Sequence, residues 1–230
     1  MGRLFGTDGV RGIANRDLSI QLASEIGVAL AMVLRERSAG RPLVLVGKDT
    51  RTSSDMIEAA VTAGLCAGGV DVAPLGVVPT PTVAYLVTRQ QAAAGVMISA
   101  SHNPYHFNGI KVFGPLGTKL SDEEEQEIED IVLDHGIPFV YASAQEVGML
   151  RPIPGGKEAY LEHLISTVPQ GLGGMKVLVD CANGSASATA GELFRRLGAQ
   201  ADLINDQPDG RNVNDHCGST HVSELCDRVR

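Results

Sequence analysis

The chain has 230 residues, 43% of them hydrophobic and 20% charged, enough for one large or two modest domains with real cores. A formal net charge of −8 argues against nucleic acid as the main partner and gives no sign of binding to anionic membranes. An anionic small molecule can still bind where Arg, Lys and backbone N–H groups converge locally.

In chain order, Leu22, Ile26, Ala29, Val33 and Leu34 fall at helical spacing behind Ser19, an expected N-cap. Leu43 to Val46 reads as a buried strand ending at Gly47. Ser53 or Ser54 is expected to cap a helix running to about Leu65, and Val70 to Pro74 is a further strand. A helix is predicted over Thr80 to Arg89, then a strand over Ala94 to Ile98 and an extended segment over Ile110 to Phe113. Ser121 with Glu124 forms the signature of a capping box, heading an acidic helix to about Leu133. Leu150 to Gly156 holds two prolines and two glycines and reads as an interdomain linker. Beyond it, Tyr160 to Val168 is a helix, Lys176 to Asp180 a strand, Ala186 to Leu197 a helix, Ala201 to Ile204 a strand and Val222 to Val229 a helix. The alternation predicts an α/β protein, with mixed, mostly parallel sheets sandwiched by helices.

The four cysteines, Cys66, Cys181, Cys217 and Cys226, show no CxxC spacing, so reduced thiols are expected rather than zinc or disulfides. The N-terminus has no apolar core of a signal peptide, and the longest apolar stretch, near Ala92 to Ala100, is too short to span a bilayer. A cytoplasmic location is the expectation.

The most informative segment is Gly95-Val96-Met97-Ile98-Ser99-Ala100-Ser101-His102-Asn103-Pro104. An apolar run stops at small and polar residues, and Pro104 pushes Asn103 out of helical geometry. This pattern delivers a serine hydroxyl to a rigid loop with room for a bulky charged group. Ser101 is therefore the candidate nucleophile, and Ser99 is read as structural. A free serine hydroxyl is a weak nucleophile that needs a base or metal beside it. Arg11, between glycines in Gly-Val-Arg-Gly, can grip phosphate oxygens in bidentate fashion. Lys111 is either a fixed cation or a general base. His102 adjoins the serine but points away from it in extended chain, so it is read as bonding the loop or a phosphate oxygen. His102 and His106 stand at the i, i+4 spacing of helical metal ligands, against which Pro104 argues. Arg51 either positions the serine loop or makes a structural salt bridge.

The string Ser-Ala-Ser-His-Asn-Pro, followed by Asn108-Gly109-Ile110-Lys111, resembles the phosphoserine loop of the α-D-phosphohexomutase superfamily. Phe5-Gly6-Thr7-Asp8-Gly9-Val10-Arg11-Gly12 resembles its opening signature, and Val179-Asp180-Cys181-Ala182-Asn183-Gly184 the first strand and turn of its second domain. Pro208-Asp209-Gly210, through Asn214, to Cys217-Gly218-Ser219-Thr220-His221 resembles the bacterial phosphoglucosamine mutase branch.

The resemblance implies phosphohexomutase domain 1 over residues 1–150 and an incomplete domain 2 over 151–230. It implies an enzyme, an intramolecular phosphotransferase interconverting glucosamine 6-phosphate and glucosamine 1-phosphate through a 1,6-bisphosphate, for amino-sugar and cell-wall precursor synthesis. Ser101, Lys111, Arg11 and His102 would be catalytic. Thr7, Gly9, Arg11, Asn103 and Lys111 would bind phosphate. Mg²⁺ would be held through the phosphate on Ser101 and by aspartates of an Asp-Gly-Asp-x-Asp-Arg loop. That loop does not occur here, nor do the family's Gly-Glu-x-Ser-Gly and Arg-Pro-Ser-Gly-Thr loops. The remaining metal ligands are thus expected beyond Arg230, and the chain alone is expected to be inactive. Glucosamine 1,6-bisphosphate or glucose 1,6-bisphosphate is the implied activator. A phosphorylated amino sugar is the implied partner, and a homodimer stays open. Alternatives are a phosphomannomutase/phosphoglucomutase, a non-catalytic short form that binds sugar phosphates, and a serine hydrolase. The last lacks a Gly-x-Ser-x-Gly elbow.

Overall fold

The structure, a computed structural model, describes residues 2–134 and 136–229. Its elements run β1 (Val10–Ile13), α1 (Ile20–Arg37), β2 (Leu43–Lys48), α2 (Ser54–Ala67), β3 (Asp71–Val77), α3 (Thr80–Gln90), β4 (Ala94–Ile98) and β5 (Phe107–Phe113). Then follow α4 (Asp122–Leu133), α5 (Gly156–Ser166), β6 (Lys176–Asp180), α6 (Ala190–Arg196), β7 (Gln200–Ile204) and α7 (Ser223–Val229).

Local chemistry sets many of these limits. The Leu22 amide donates to the Ser19 hydroxyl at 3.1 Å, closing the first turn of α1. At α4 both halves of the capping box form: the Glu124 amide donates to Ser121 Oγ and the Ser121 amide to Glu124 Oε2. The start of α2 differs from expectation in part, since Ser53 holds the N-cap position without a side-chain cap bond. The helix expected over Ala186 to Leu197 is split into a 3-10 turn (Ser185–Ala188) and α6. Ser187 and Thr189 donate their hydroxyls back to the carbonyls of Gly184 and Ala186. Such bonds compete with the helical ladder, and Thr189 leaves helical geometry at φ −135°.

Five strands form one sheet in the order β1-β5-β4-β2-β3, and β6 and β7 form a second. β3, β2 and β4 are mutually parallel, whereas β5 returns antiparallel to both β4 and β1. Only residues 99–106 separate β4 from β5, too few for the helical crossover that a parallel pair needs. The first sheet is therefore mixed and the second parallel, with parallel pairing in three of the five strand contacts among the described residues.

β4 is buried at every position, as expected for a strand covered on both faces. Val44, Val46, Val96 and Ile98 face one core with α1, α2 and Ile128 of α4. Leu45 and Met97 face a second core with Val83, Leu86 and Val87 of α3. Helices α1 and α2 approach backbone to backbone: a Cβ on Gly64 would lie 2.1 Å from the Ser24 carbonyl oxygen. The segment read as a linker runs along β3, where Val72 and Met149, then Arg151 and Val72, exchange backbone bonds of 2.9 and 2.7 Å. α5 then packs on α3, with His163 stacked on Tyr85 at 4.3 Å. No helix among the described residues is long and apolar enough to cross a membrane.

The segment before β1 is tethered by one carboxylate. Glu129 of α4, 1% exposed, accepts the amides of Arg3, Leu4 and Phe5 at 2.8, 2.7 and 2.6 Å. Burial pushes its carboxyl up, but the three amides and the Arg3 charge pull it further down, below the ordinary glutamate value. Glu129→Gln, which turns one acceptor oxygen into a donor facing amides, is expected to cost about 2–3 kcal/mol in urea unfolding at pH 7. A lowered folded value means that this stabilisation is complete above the unfolded value of about 4.3 and is lost as pH falls through the folded one. The gap between variant and unaltered protein should therefore narrow in acid. A gap unchanged down to pH 3 would contradict the tether.

Candidate active site

The carboxyl ends of β2, β4, β6 and β7 carry loops that bond to one another, in the place where open α/β sheets bind ligands. Past the last rung of β4, the Ser99 amide donates to the Gly109 carbonyl at 3.0 Å. Gly109 is required there, because a Cβ would lie 2.8 Å from the carbonyl oxygens of both Ser99 and Val10. The Ser101 amide donates to Ser99 Oγ at 3.0 Å, and the Asn103 amide to the Ala100 carbonyl at 3.1 Å. Ser99 thus has the structural part expected of it. Ser101 is exposed and sits in the left-handed region at φ +56°, a conformation that costs a non-glycine residue about 1–2 kcal/mol.

The loop after β2 supports this turn from beneath. Arg51 is fully buried and forms an ion pair with Asp49, itself 4% exposed. Asp49 also accepts the Arg51 amide at 3.0 Å and the Ser54 hydroxyl at 2.8 Å. A second Arg51 nitrogen, Nη2, donates to the carbonyls of Ser101 at 3.1 Å and Asn103 at 2.6 Å, while the buried Nε has no hydrogen-bond partner among the described residues. Both readings of Arg51, salt bridge and loop support, are realised by one guanidinium. Burial pushes that guanidinium below its ordinary value, Asp49 opposes the shift and nearby Arg11 adds to it. Asn108 links the loop to β5, donating to Ser53 and Ser54 at 2.9 and 3.0 Å and accepting the Gly109 amide.

The opening signature forms β1, a strand missed in the sequence because Val-Arg-Gly-Ile is short and glycine-interrupted. Its register places Arg11 opposite Gly109, so Arg11 and Lys111 share a face of the sheet. Asp8 Oδ2 joins them, 2.6 Å from Arg11 Nη2 and 2.6 Å from Lys111 Nζ. Burial pushes the Asp8 carboxyl up, but the two cations outweigh it and hold the group below its ordinary range. Two cations on one carboxylate leave a net positive charge for an anion. Thr7, Asp8, Gly9 and Arg11 line an open hollow of about 460 Å³ with Leu4 and Gly6. Thr7 is exposed, and Gly9 closes a turn by accepting the Gly6 amide at 3.0 Å.

The sequence-derived residues thus fall into two groups. Arg11 and Lys111 meet at Asp8, and Ser101 and Asn103 meet at Arg51. Among the described residues no hydrogen bond joins the Ser101 hydroxyl to Arg11, Lys111 or His102. His102 is exposed and bonds nothing in the loop. His106 is not on a helix with it but packs against Phe107 at 4.8 Å. No group of three or more His, Cys, Asp or Glu among the described residues could hold a metal ion. A hard ion such as Mg²⁺ wants several oxygen ligands, so the residues around Ser101 do not by themselves fit it.

The second sheet supplies residues that the sequence reading did not single out. Asp180, ending β6, accepts the amides of Ala182 and Gly218 at 2.8 and 2.7 Å and the Asn205 side chain at 3.1 Å. The loops so tied include Ala182, Asn183, Asn205, Asn214 and His216, all at positive φ. They reach the first sheet: Thr50 Oγ1 donates to the Asn183 carbonyl at 2.6 Å, and the Thr52 amide to the Gly210 carbonyl at 2.9 Å. Asn214 Nδ2 donates to the carbonyls of Ser101 at 2.9 Å and Asn103 at 3.0 Å. The signals were the family strings over 179–184 and 208–221 and the density of Asn and Gly over 205–218, which marks left-handed turns, and neither says what these residues touch.

Comparison with known proteins places these features among relatives. The family described as phosphoglucomutase/phosphomannomutase, alpha/beta/alpha domain I, matches residues 2–136. The chain is 51% identical over 228 residues to a phosphoglucosamine mutase of Syntrophomonas wolfei, covering 98% of this chain and 51% of that protein. It thus spans about half the length of the curated relatives it matches. A crystal structure of a phosphoglucomutase/phosphomannomutase family protein from Burkholderia thailandensis superposes with a TM-score of 0.83 at 24% identity, over 98% of this chain and 49% of that one. An Aspergillus fumigatus N-acetylphosphoglucosamine mutase, solved with GlcNAc-6P and magnesium, shares the fold at a TM-score of 0.58 and 16% identity, over 97% of this chain and 45% of that one.

Proposed function

Because the chain belongs to the phosphoglucomutase/phosphomannomutase family, we propose that it is the serine-bearing part of a phosphoglucosamine mutase. The activity proposed for the whole protein is interconversion of glucosamine 6-phosphate and glucosamine 1-phosphate. The observation that carries this reading is the exposed Ser101 hydroxyl, held at the carboxyl end of β4 on a turn whose carbonyls are bonded from beneath. Relatives about half identical over nearly the whole chain, named phosphoglucosamine mutases, support the choice of sugar.

In this reading Ser101 works as phosphoserine. Its phosphoryl group passes to the free sugar hydroxyl of the bound monophosphate, giving the 1,6-bisphosphate. After the sugar turns over, the serine oxygen takes the other phosphoryl group and releases the isomeric monophosphate. Phosphoryl transfer needs mainly positioning and charge neutralisation. Arg11 and Lys111 supply the charge: an arriving phosphate competes with Asp8 for both. A lysine already paired with a carboxylate is better suited as a fixed cation than as a base. His102, whose side chain bonds nothing in the loop, is assigned to a phosphate oxygen, and Asn103, Thr7 and Gly9 to the anion's surroundings.

The two domains are proposed as 1–150 and 151–230, and a glucosamine or glucose 1,6-bisphosphate as activator. Mg²⁺ is proposed only as an ion whose carboxylate ligands come from outside the described residues, and no step above passes through it. With no such cluster among the described residues, the chain by itself is expected to show no turnover.

The test is intact-mass and phosphopeptide analysis of the full-length protein after incubation with a sugar 1,6-bisphosphate, with kinetics on three monophosphates. A single phosphate on Ser101 and highest kcat/KM for glucosamine 6-phosphate are expected. Preference for mannose or glucose phosphate would move the protein to the phosphomannomutase/phosphoglucomutase reading. No label on Ser101 would overturn the phosphoserine.

A further inference from the structure

We propose that Asn214, from the second sheet's loops, is a positioning residue for Ser101, closing with Arg51 a clamp that holds the serine turn in its left-handed form. The proposal rests on Ser101 as the phosphoryl carrier. A carbonyl oxygen offers two lone pairs. The carbonyls of Ser101 and Asn103 each receive two donors, one from Arg51 Nη2 at 3.1 and 2.6 Å and one from Asn214 Nδ2 at 2.9 and 3.0 Å. Arg51 comes from the loop after β2 and is locked in place by Asp49. Asn214 is 113 residues distant from Ser101 in sequence and comes from the other sheet.

Asn214 is itself held firmly enough to act in this way. It sits at φ +57°, where asparagine is tolerated, and its own amide donates to the Ala182 carbonyl at 3.0 Å. Ala182 is in turn tied to Asp180 through its amide. The chain of bonds runs from the end of β6 to the backbone of the reactive serine. The clamp touches only carbonyls, so the Ser101 hydroxyl stays free for chemistry while φ and ψ of the turn are fixed. Seating of the second sheet's loops and aim of the serine oxygen thus become one event. A misplacement of about 1 Å at a reacting atom can cost about a hundredfold in rate.

Two variants isolate the amide. Asn214→Gly keeps the left-handed backbone at no steric cost, and Asn214→Asp keeps the shape but cannot donate. Both are made in full-length protein, with kinetics and the ¹³Cα and ¹³Cβ shifts of labelled Ser101 as readouts. Expected are a kcat about tenfold to a hundredfold lower with KM within twofold, an unchanged melting temperature within a few degrees for Asn214→Gly, and displaced Ser101 shifts in both variants. A kcat within twofold of the unaltered protein, with Ser101 shifts unmoved, overturns the clamp. If the unaltered protein transfers no phosphoryl group at all, the carrier reading of Ser101 fails instead. The Ser101 shifts then decide the clamp alone: displaced in both variants supports it, unmoved refutes it.

Discussion

Ser101→Ala is expected to lower mutase turnover of the full-length protein by about four orders of magnitude or more, since it removes the oxygen proposed to carry the phosphoryl group. The same change should leave stability within about 0.5 kcal/mol, as for a surface substitution away from packing or capping. The side chain is exposed, and the bonds that hold the turn use the main chain of residues 101 and 103. Chemistry and folding are thus separable at this position. Melting temperature and kcat measured on one preparation check it. Turnover within tenfold of the unaltered protein would remove Ser101 from the reaction.

Arg51→Met is expected to cost about 3–5 kcal/mol, the usual penalty for stripping one partner from a buried ion pair. Asp49 would be left buried with only the Arg51 amide and the Ser54 hydroxyl to satisfy it. Against a total stability of about 5–15 kcal/mol that is a large share, and urea unfolding will show it directly. Arg51→Lys should not rescue it, because an ammonium cannot span a carboxylate and two carbonyls in one plane. Removing both charges, in Arg51→Met with Asp49→Leu, should recover much of the loss, because the pair's desolvation cost goes with it. A single variant that loses less than about 1 kcal/mol would show that Asp49 is satisfied without its partner.

What could be read without coordinates was local. Ala94–Ile98 and Lys176–Asp180 have the limits expected from their apolar runs, and the caps at Ser19 and Ser121 form as their spacing implies. The serine loop was legible for the same reason: strand, small residues and proline are neighbours in sequence, and each restricts the backbone next to it. The family's strings added Arg11 and Lys111 as candidate phosphate-binding residues. Neither pattern nor string showed that β5 returns antiparallel, that Val10–Ile13 is a strand paired to it, or that Asp8 bridges the two cations. Asn214 had no visible role until its amide was seen on the carbonyls of Ser101 and Asn103. The sequence by itself determined most of the elements and the caps at Ser19 and Ser121, and it singled out Ser101 as the candidate nucleophile, because periodicity, capping and proline act over a few residues. The tertiary structure alone decided strand pairing, the charge balance at Asp8 and the double clamp on the serine turn. Those depend on groups tens to more than a hundred residues apart, which meet only when burial of both cores brings the strand ends together.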